Sequence, residues 1–260
     1  MESIKDILQS CSSITLEEMD SVKFMNRIDR KYVFHSSLIS EIVKSAAASY
    51  RVLQIDEKRS FTYNTTYFDT ETCDMYYQHT QGKLNRQKLR MRVYEITGTS
   101  FLEIKMNTNK GRTIKERIKT WDKEGVVVET DDFLKERLPF DVTSLKPVLY
   151  TSFNRITLVS TVFKERITID FNLAFESIDG KKVSLPHIGI AETKNDSHSN
   201  NTPIVNILKK NHICSMSFSK YCIGSALLNE NFKKNIFKPQ LLLIEKLKKN
   251  NELNNNLILS

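Results

Sequence analysis

One stretch of this chain carries a basic residue at every second position. The basic residues are Arg86, Lys88, Arg90 and Arg92, and Leu89, Met91 and Val93 alternate with them. Successive side chains of a β-strand point to opposite faces, so a strand here presents four cations on one face and an apolar row on the other. A single strand of this kind would be explained by the solvated outer face of a sheet.

The same alternation recurs along other predicted strands. The charged residues that share a face within one strand are Glu103 and Lys105, Lys115 and Arg117, Arg166 and Asp170, and Glu192 and Lys194. Arg155 fits less cleanly, because Phe153 falls on its side of the strand. Glu and Lys are weak strand formers, so their repetition favours a sheet curled around a charged interior. A flat sheet with one basic face stays open as the alternative.

Period-two patterns dominate the middle of the chain, and helical spacing follows them. We predict strands at 27–35, 61–68, 86–96, 100–106, 113–119, 149–160, 165–170 and 188–194. We predict helices at 37–50, 72–79, 131–136, 203–210, 220–228 and 240–249. This is the pattern of one antiparallel α+β domain over residues 1–228, followed by a helical tail rich in Lys and Asn over residues 229–260.

The charge balance indicates an acidic partner. The sequence has 39 Lys and Arg against 31 Asp and Glu, a net charge of +8, with a pI near 9.2. Nucleic acid, anionic lipid, nucleotides and inorganic phosphate polymers are all compatible with this excess. The sequence contains no run of about 18 apolar residues, no signal peptide and no C-x-x-C pair. We therefore expect a cytoplasmic protein with reduced thiols and without structural zinc.

Phosphate-binding motifs built on backbone amides are absent from the sequence. It has no G-x-x-x-x-G-K-[ST] loop and no G-x-G-x-x-G motif, so any phosphate would be held by side chains. Arginine pairs bidentately with phosphate oxygens, and carboxylates among the cations are suited to holding Mg²⁺ or Mn²⁺ against a phosphate. A dry ring of cations would be strongly repulsive, whereas a wet interior that holds a polyanion removes that repulsion.

Seven short motifs occur in one order along residues 25–228. They are Arg27-x-Asp29-x-Lys31, Tyr67-Phe68-Asp69-Thr70, Arg90-Met91-Arg92-Val93-Tyr94, Leu102-Glu103-Ile104-Lys105, Glu165-Arg166-Ile167-Thr168-Ile169-Asp170, Ala191-Glu192-Thr193-Lys194 and Ser217-Phe218-Ser219-Lys220-Tyr221. Together with Arg155, this series resembles the polyphosphate polymerase domain of the vacuolar transporter chaperone (VTC) family and its bacterial relatives. The resemblance implies the triphosphate tunnel metalloenzyme (CYTH-like) fold, a closed antiparallel β-barrel with a charged lumen and surrounding helices.

The resemblance also implies roles for individual residues. Lys31 matches a lysine that contacts the nucleotide phosphates, and Glu192 matches a glutamate that holds Mn²⁺ or Mg²⁺. The implied catalytic cations around the triphosphate are Lys31, Arg90, Arg92, Lys105, Arg155 and Arg166. The implied substrate-binding residues are Lys115, Lys194, Lys220 and His79, of which Lys220 lies near the tunnel exit.

Three positions depart from the family pattern. Related hydrolases of this fold begin with E-x-E-x-K, whereas this chain has Arg27 and Asp29 before Lys31. One early carboxylate is therefore missing, which weakens a two-metal hydrolase interpretation. His79 and Ser217 stand where the eukaryotic polymerases have an arginine and a lysine, so the cationic lining is thinner at both places.

These observations lead us to expect a metal-dependent polyphosphate polymerase that transfers the γ-phosphate of ATP to a growing polyphosphate chain. Two alternatives stay open, namely hydrolysis of inorganic or nucleoside triphosphate and a non-catalytic module that binds polyphosphate or nucleotides. Nucleic-acid binding ranks fourth, and no specific nucleic acid is expected as a partner. The sequence has no transmembrane helices after the barrel, so translocation of the product would require a separate membrane protein.

Overall fold

The computed structural model describes residues 3–20, 28–109, 113–121, 130–195 and 201–258 of the chain. Arg27, from the first sequence motif, lies outside the described residues. The strands of the single sheet are β1 (Ser13–Ile14), β2 (Ile28–His35), β3 (Tyr50–Leu53), β4 (Phe61–Asp69), β5 (Arg86–Tyr94), β6 (Thr99–Asn107), β7 (Thr113–Trp121), β8 (Lys146–Ser160), β9 (Glu165–Ser177), β10 (Lys182–Leu185) and β11 (Ile188–Asn195).

Helices flank this sheet on both sides and follow it in the chain. They are α1 (Ile4–Ser10), α2 (Leu16–Asp20), α3 (Ile39–Ala46), α4 (Asp74–Thr80), α5 (Asp131–Lys135), α6 (Pro203–Lys210), α7 (Lys220–Leu228) and α8 (Lys238–Ile258). Short 3₁₀ helices lie at Ser36–Leu38, Val142–Ser144 and Asn235–Phe237. Within the described ranges, none of the helices combines the length and the apolar character needed to cross a bilayer.

The main path of the sheet is antiparallel, in the strand order β2-β11-β9-β8-β4-β5-β6-β7. The predicted α+β class with an antiparallel sheet is confirmed, but the predicted closure into a barrel is wrong. In the part of the chain that the structure describes, no ladder joins the two end strands β2 and β7, so the sheet is curled rather than closed. Most side chains of β7 are exposed, including Ile114 and Trp121, so this strand buries little apolar surface that would hold a further strand against it.

The predicted strands of the sheet are confirmed, and two differences have local causes. The helix predicted at 37–50 ends at Ala46, because the chain turns and Tyr50 begins the short strand β3. The strand predicted at 165–170 continues to Ser177 as β9 and then pairs with β10. Asn172 has a left-handed backbone (φ 52°), and the register between β8 and β9 shifts nearby, so the alternation in the sequence is interrupted there.

Two apolar clusters hold the helices against the sheet. Helices α1, α3 and α6 pack against one face of β2, β8, β9 and β11, with Ile42 and Ile204 fully buried. Helix α7 packs on β8, β9 and β10, where Gly224 approaches Phe175 and Leu149 so closely that a Cβ would lie 2.5 Å from the Phe175 ring. Phe237 and the α8 residue Ile244 join the same cluster as α7.

Candidate functional site

The strand register places the predicted charged residues on one face of the curled sheet. Residues directly opposite each other on neighbouring strands share a face. Such opposite pairs are Lys31 and Glu192, Lys194 and Arg166, Arg155 and Asp170, Arg90 and Glu103, Lys88 and Lys105, and Lys105 and Lys115. In β4, Phe61 and Tyr67 lie opposite Arg155 and Arg90 and so connect the two halves of the set. We call this shared face the concave face.

The curl of the sheet brings strands from its two ends towards each other. Lys105 on β6 is near enough to Lys31 on β2 and Glu192 on β11 for their charges to act on its pKa. Burial is the largest cause that lowers this pKa, to about 8, and the cations Lys31, Lys88 and Arg90 lower it further against the opposing effect of Glu192. The charged side chains from the two ends therefore face one space on the concave face of the curled sheet.

Glu103 forms the first ion-pair group on the concave face. Its carboxylate accepts a hydrogen bond from Arg90 Nε at 2.7 Å and forms an ion pair with Lys115, and its side chain is 1% exposed. Burial alone would raise the pKa of Glu103, but Arg90, Arg92 and Lys115 lower it to about 2. Glu103 is thus ionised at neutral pH and orients two of the cations.

Asp170 forms the second group. Arg155 donates to both carboxylate oxygens, with Nε···Oδ1 at 2.6 Å and Nη2···Oδ2 at 2.9 Å, and Lys220 contacts Oδ2. Burial would raise the pKa of Asp170, but Arg155 and Lys220 hold it well below its usual range. Burial lowers the pKa of Lys220 to about 8, although Asp170 opposes this shift. The bidentate geometry fixes the plane of the Arg155 guanidinium.

Arg92 lies between these two groups. Its Nε donates to Thr65 Oγ1 at 3.3 Å, and its guanidinium lies 5.5 Å from the centre of the Tyr63 ring. Burial is the main reason that its pKa is lowered, and the neighbouring Arg90 and Arg155 add to the effect. Among the described residues no carboxylate forms an ion pair with Arg92, so its charge is available to an anionic ligand.

Glu192 forms the third group, with Lys194 as its ion-pair partner. Burial would raise the pKa of Glu192, but Lys194, Lys31 and Arg155 lower it strongly. Asp29 is opposite Lys194 in the register and also acts on that lysine, so two carboxylates flank one cation here.

The residues around Glu192 fit a divalent cation only in a shared site. In the described part of the chain, no three His, Cys, Asp or Glu side chains are grouped closely enough to hold a metal ion by themselves. Mg²⁺ is commonly held by one or two carboxylates, with substrate phosphates and water as the other ligands. Glu192, with Asp29 nearby, meets that requirement once a phosphate chain is present.

The segment before α7 links opposite sides of the concave face. Lys31 Nζ donates to the carbonyl oxygen of Phe218 at 2.6 Å, and Lys88 Nζ donates to Ser219 Oγ at 2.7 Å. Ser219 also caps α7 by accepting from the backbone N–H of Cys222. Lys220, the next residue, reaches Asp170 and lies 4.2 Å from the centre of the Phe153 ring.

A buried carboxylate fixes α7 in this position. Asp69 is fully buried and accepts hydrogen bonds from the backbone N–H groups of Thr70, Met75 and Tyr76 and from the hydroxyl of Tyr221. Tyr221 also stacks on Tyr67, with ring centres 5.2 Å apart. Through Tyr221, Asp69 connects α4 to the helix that carries Lys220.

His79 lies at the same end of the concave face as Lys88. Its Nδ1 accepts a hydrogen bond from Arg86 Nε at 3.2 Å, and its ring stacks on Phe237 at 5.8 Å. Burial and the positive charges of Lys88, Arg86, Lys31 and Lys105 lower the pKa of His79 to about 3. His79 is therefore a neutral residue beside several cations.

The structure places the other predicted residues on the concave face but nearer to its edges. Arg166 is half-buried and lies opposite both Lys194 and Val159 in the register. Lys115 lies on the end strand β7 and remains about one-third exposed. The catalytic role implied for Arg166 and the substrate-binding role implied for Lys115 stay predictions.

Lys88 belongs to the alternating row in the sequence, but it matches no position that the family resemblance assigns to the site. The sequence also does not identify the basic partners of Glu103 and Asp170. As carboxylates among cations, these two residues are candidates for metal binding in the sequence. In the structure each is engaged by two basic side chains instead.

Comparison with solved structures finds similar proteins. A protein from Bacillus halodurans, provisionally assigned as an adenylate cyclase, is 16% identical over 75% of this chain and 96% of its own, with a TM-score of 0.50. A similarly assigned protein from Vibrio parahaemolyticus is 13% identical over 76% and 97% of the two chains, with a TM-score of 0.47. A Hippeastrum protein described as having a dominant triphosphatase activity is 12% identical over 77% and 96%, with a TM-score of 0.46. No curated protein matches the sequence significantly.

Comparison with protein families identifies the chain itself. The model of the VTC domain matches residues 26–229, which include β2 to α7 and every charged residue described above. The likeness to the Bacillus halodurans protein shows a shared fold. The chain therefore belongs to the VTC domain family.

Proposed function

We propose that this protein is a polyphosphate polymerase, which transfers the γ-phosphate of ATP to the end of an inorganic phosphate chain. The VTC domain and the tunnel fold support a function on nucleoside triphosphates or polyphosphate, by a phosphotransferase or a triphosphatase. The observation that carries the proposal is the gathering of Lys31, Arg90, Arg92, Lys105 and Arg155 on one concave face. Such a set suits a ligand with many adjacent anionic oxygens.

The proposed reaction requires little covalent chemistry from the protein. An oxygen of the acceptor's terminal phosphate attacks the γ-phosphorus of ATP, the bond to the β–γ bridging oxygen breaks, and ADP leaves with that electron pair. The protein holds donor and acceptor in line and stabilises charge on the equatorial oxygens. Because the acceptor phosphate is already an anion, no protein general base is required.

The carboxylates Glu103 and Asp170 orient the cations in this proposal. Glu103 engages Arg90 through Nε, and Asp170 engages Arg155 through Nε and Nη2. Each carboxylate therefore uses only part of a guanidinium and fixes the direction of the remaining N–H groups. An oriented guanidinium loses less entropy when it binds a phosphate than a mobile one does.

Glu192 is the residue that we propose to hold Mg²⁺ or Mn²⁺ together with the phosphates. A bound divalent cation would supply charge neutralisation at the transferring phosphate. In its absence Lys194 neutralises the Glu192 carboxylate.

The test is incubation of the purified protein with ATP, a short polyphosphate and Mg²⁺ or Mn²⁺, followed by gel analysis of chain length. Elongation of the chain with formation of ADP is expected. Release of free phosphate without elongation would favour the triphosphate hydrolase, and tight binding without turnover would favour the binding module.

Glu192→Gln tests the metal role, and Glu245→Gln on the exposed surface of α8 is the matched control. Glu192→Gln should abolish transfer while the protein still binds triphosphate, and Glu245→Gln should behave as the wild type. Unchanged transfer by Glu192→Gln at low metal concentration would remove Glu192 from the site. The cytoplasmic location and a separate membrane protein as partner stay predictions.

A further inference from the structure

The row of cations on β5 is longer than one triphosphate group needs. Arg86 and Arg92 are six residues apart on this strand, which corresponds to about 20 Å at the usual rise per residue. Arg90 and Arg92 lie at one end of the row, near Arg155, and Arg86 and Lys88 lie at the other end, near His79. The two ends therefore have different neighbours.

The basic residues at the two ends also have different bonding partners. Arg90 and Arg155 are bonded to the carboxylates Glu103 and Asp170. At the other end, Lys88 donates to the hydroxyl of Ser219, and Arg86 donates to the imidazole of His79. Arg86 donates also to the carbonyl oxygen of Lys83. The partners there are neutral, so an anion that binds at this end does not have to compete with a carboxylate.

We propose that Lys88, Arg86 and His79 form a second anion subsite, which binds the acceptor end of an inorganic phosphate chain beside the nucleotide's triphosphate. We call it the Lys88 subsite. The inference rests on the proposed polymerase function, because a polymerase needs a donor and an acceptor at the same time.

Lys105 lies opposite Lys88 in the strand register, and Lys31 and Arg90 are close enough to influence it. Lys105 is influenced by Lys88 on one side and by Arg90 on the other, and Lys31 influences both Lys105 and His79. Lys105 has no hydrogen-bond or ion-pair partner among the described residues. The transferring phosphate would thus be near these two lysines and Glu192, with the donor held by the arginines and the acceptor by the Lys88 subsite.

The experiment measures binding of a short inorganic polyphosphate by calorimetry to protein that is saturated with a non-hydrolysable ATP analogue. The wild type should bind both ligands at once. Lys88→Gln should weaken polyphosphate binding roughly tenfold or more, as expected for loss of a charge-assisted contact, and change analogue binding by less than about twofold. Lys210→Gln removes one exposed lysine at the end of α6 and is the matched control, with no change expected.

Three results would overturn the subsite. Full competition between polyphosphate and the analogue in the wild type would mean one shared site, as would equal weakening of both ligands by Lys88→Gln. Unchanged polyphosphate binding by folded Lys88→Gln would exclude Lys88. If Lys88→Gln does not fold, Arg86→Gln serves for the same comparison. Simultaneous binding of both ligands, with no chain elongation when ATP and a divalent metal replace the analogue, would leave the subsite in place and refute the polymerase instead.

Discussion

The affinity of this protein for inorganic triphosphate should fall as the pH rises from about 7 to about 9, because Lys105 loses its proton in the empty site. The pKa of Lys105 is lowered to about 8, first by burial and then by Lys31, Lys88 and Arg90. A bound polyanion offsets the repulsion between these cations and protonated Lys105. It therefore raises the pKa of Lys105 towards its ordinary value of 10.5. Binding above about pH 8 therefore takes up a proton.

The size of the effect follows from the two pKa values of Lys105. At about pH 7 Lys105 is protonated in both free and bound protein, so it contributes no pH dependence. At about pH 9 only about one-tenth of the free protein carries the proton, whereas nearly all of the bound protein does, so affinity falls about tenfold from this residue alone. The direction is fixed because the free-state pKa is the lower of the two.

Lys105→Arg is the decisive variant, since arginine keeps the positive charge and does not titrate in this range. Calorimetry without metal, in two buffers of different ionisation heat, gives both the affinity and the protons taken up. The ionisation of triphosphate itself is the same for both proteins and cancels in their ratio. The wild type should lose about ten times more affinity than Lys105→Arg over this range. Equal pH profiles for the two proteins would refute the assignment.

Three further predictions concern stability, each measured by urea denaturation. Asp170→Asn should lower the free energy of unfolding by about 3 kcal/mol, because Arg155 and Lys220 lose their buried counter-charge. A loss below about 1 kcal/mol would show that water already screens these two ion pairs. Gly224→Ala should lower the free energy of unfolding by about 1–3 kcal/mol despite the helix preference of alanine, because the Phe175 ring must move. A stabilised variant would contradict this close packing. Tyr50→Phe should lower the free energy of unfolding by about 1–3 kcal/mol, because the buried Glu165 loses its 2.5 Å hydrogen bond and the backbone N–H of Ile204 loses its acceptor. An unchanged denaturation midpoint would argue against these two hydrogen bonds.

The alternation of residues was sufficient to predict the face on which the charges lie. A period of two assigns each side chain of a strand to one of two faces, and the hydrogen-bond register then keeps that assignment across the sheet. Arg90, Lys105 and Glu192 were therefore placed correctly on a shared face without knowledge of strand order. The VTC family was predicted from short motifs within single strands or at the start of α7, which depend on local sequence only.

The ion-pair partners could not be predicted in the same way. Glu103 meets Lys115 only because β6 and β7 are neighbours, and Asp170 meets Lys220 only because α7 packs on the concave side. Closure of the barrel likewise depends on two strands that are far apart in sequence, β2 and β7. The packing of α8, with Gln240 donating to the carbonyl oxygen of Ser217, is a long-range contact of the same kind.

The anchoring of Lys31 and Lys88 to the segment before α7 has a consequence for the entropy of binding. An unrestrained lysine or arginine loses rotamer freedom when it meets a ligand, at a cost of about 0.5–1.5 kcal/mol for each side chain. Lys31 and Lys88 are already held by Phe218 and Ser219. That freedom is lost when the protein folds rather than when the phosphate chain arrives. A substitution that loosens α7, such as one at Asp69 or Tyr221, should therefore weaken polyanion binding although neither side chain touches the ligand.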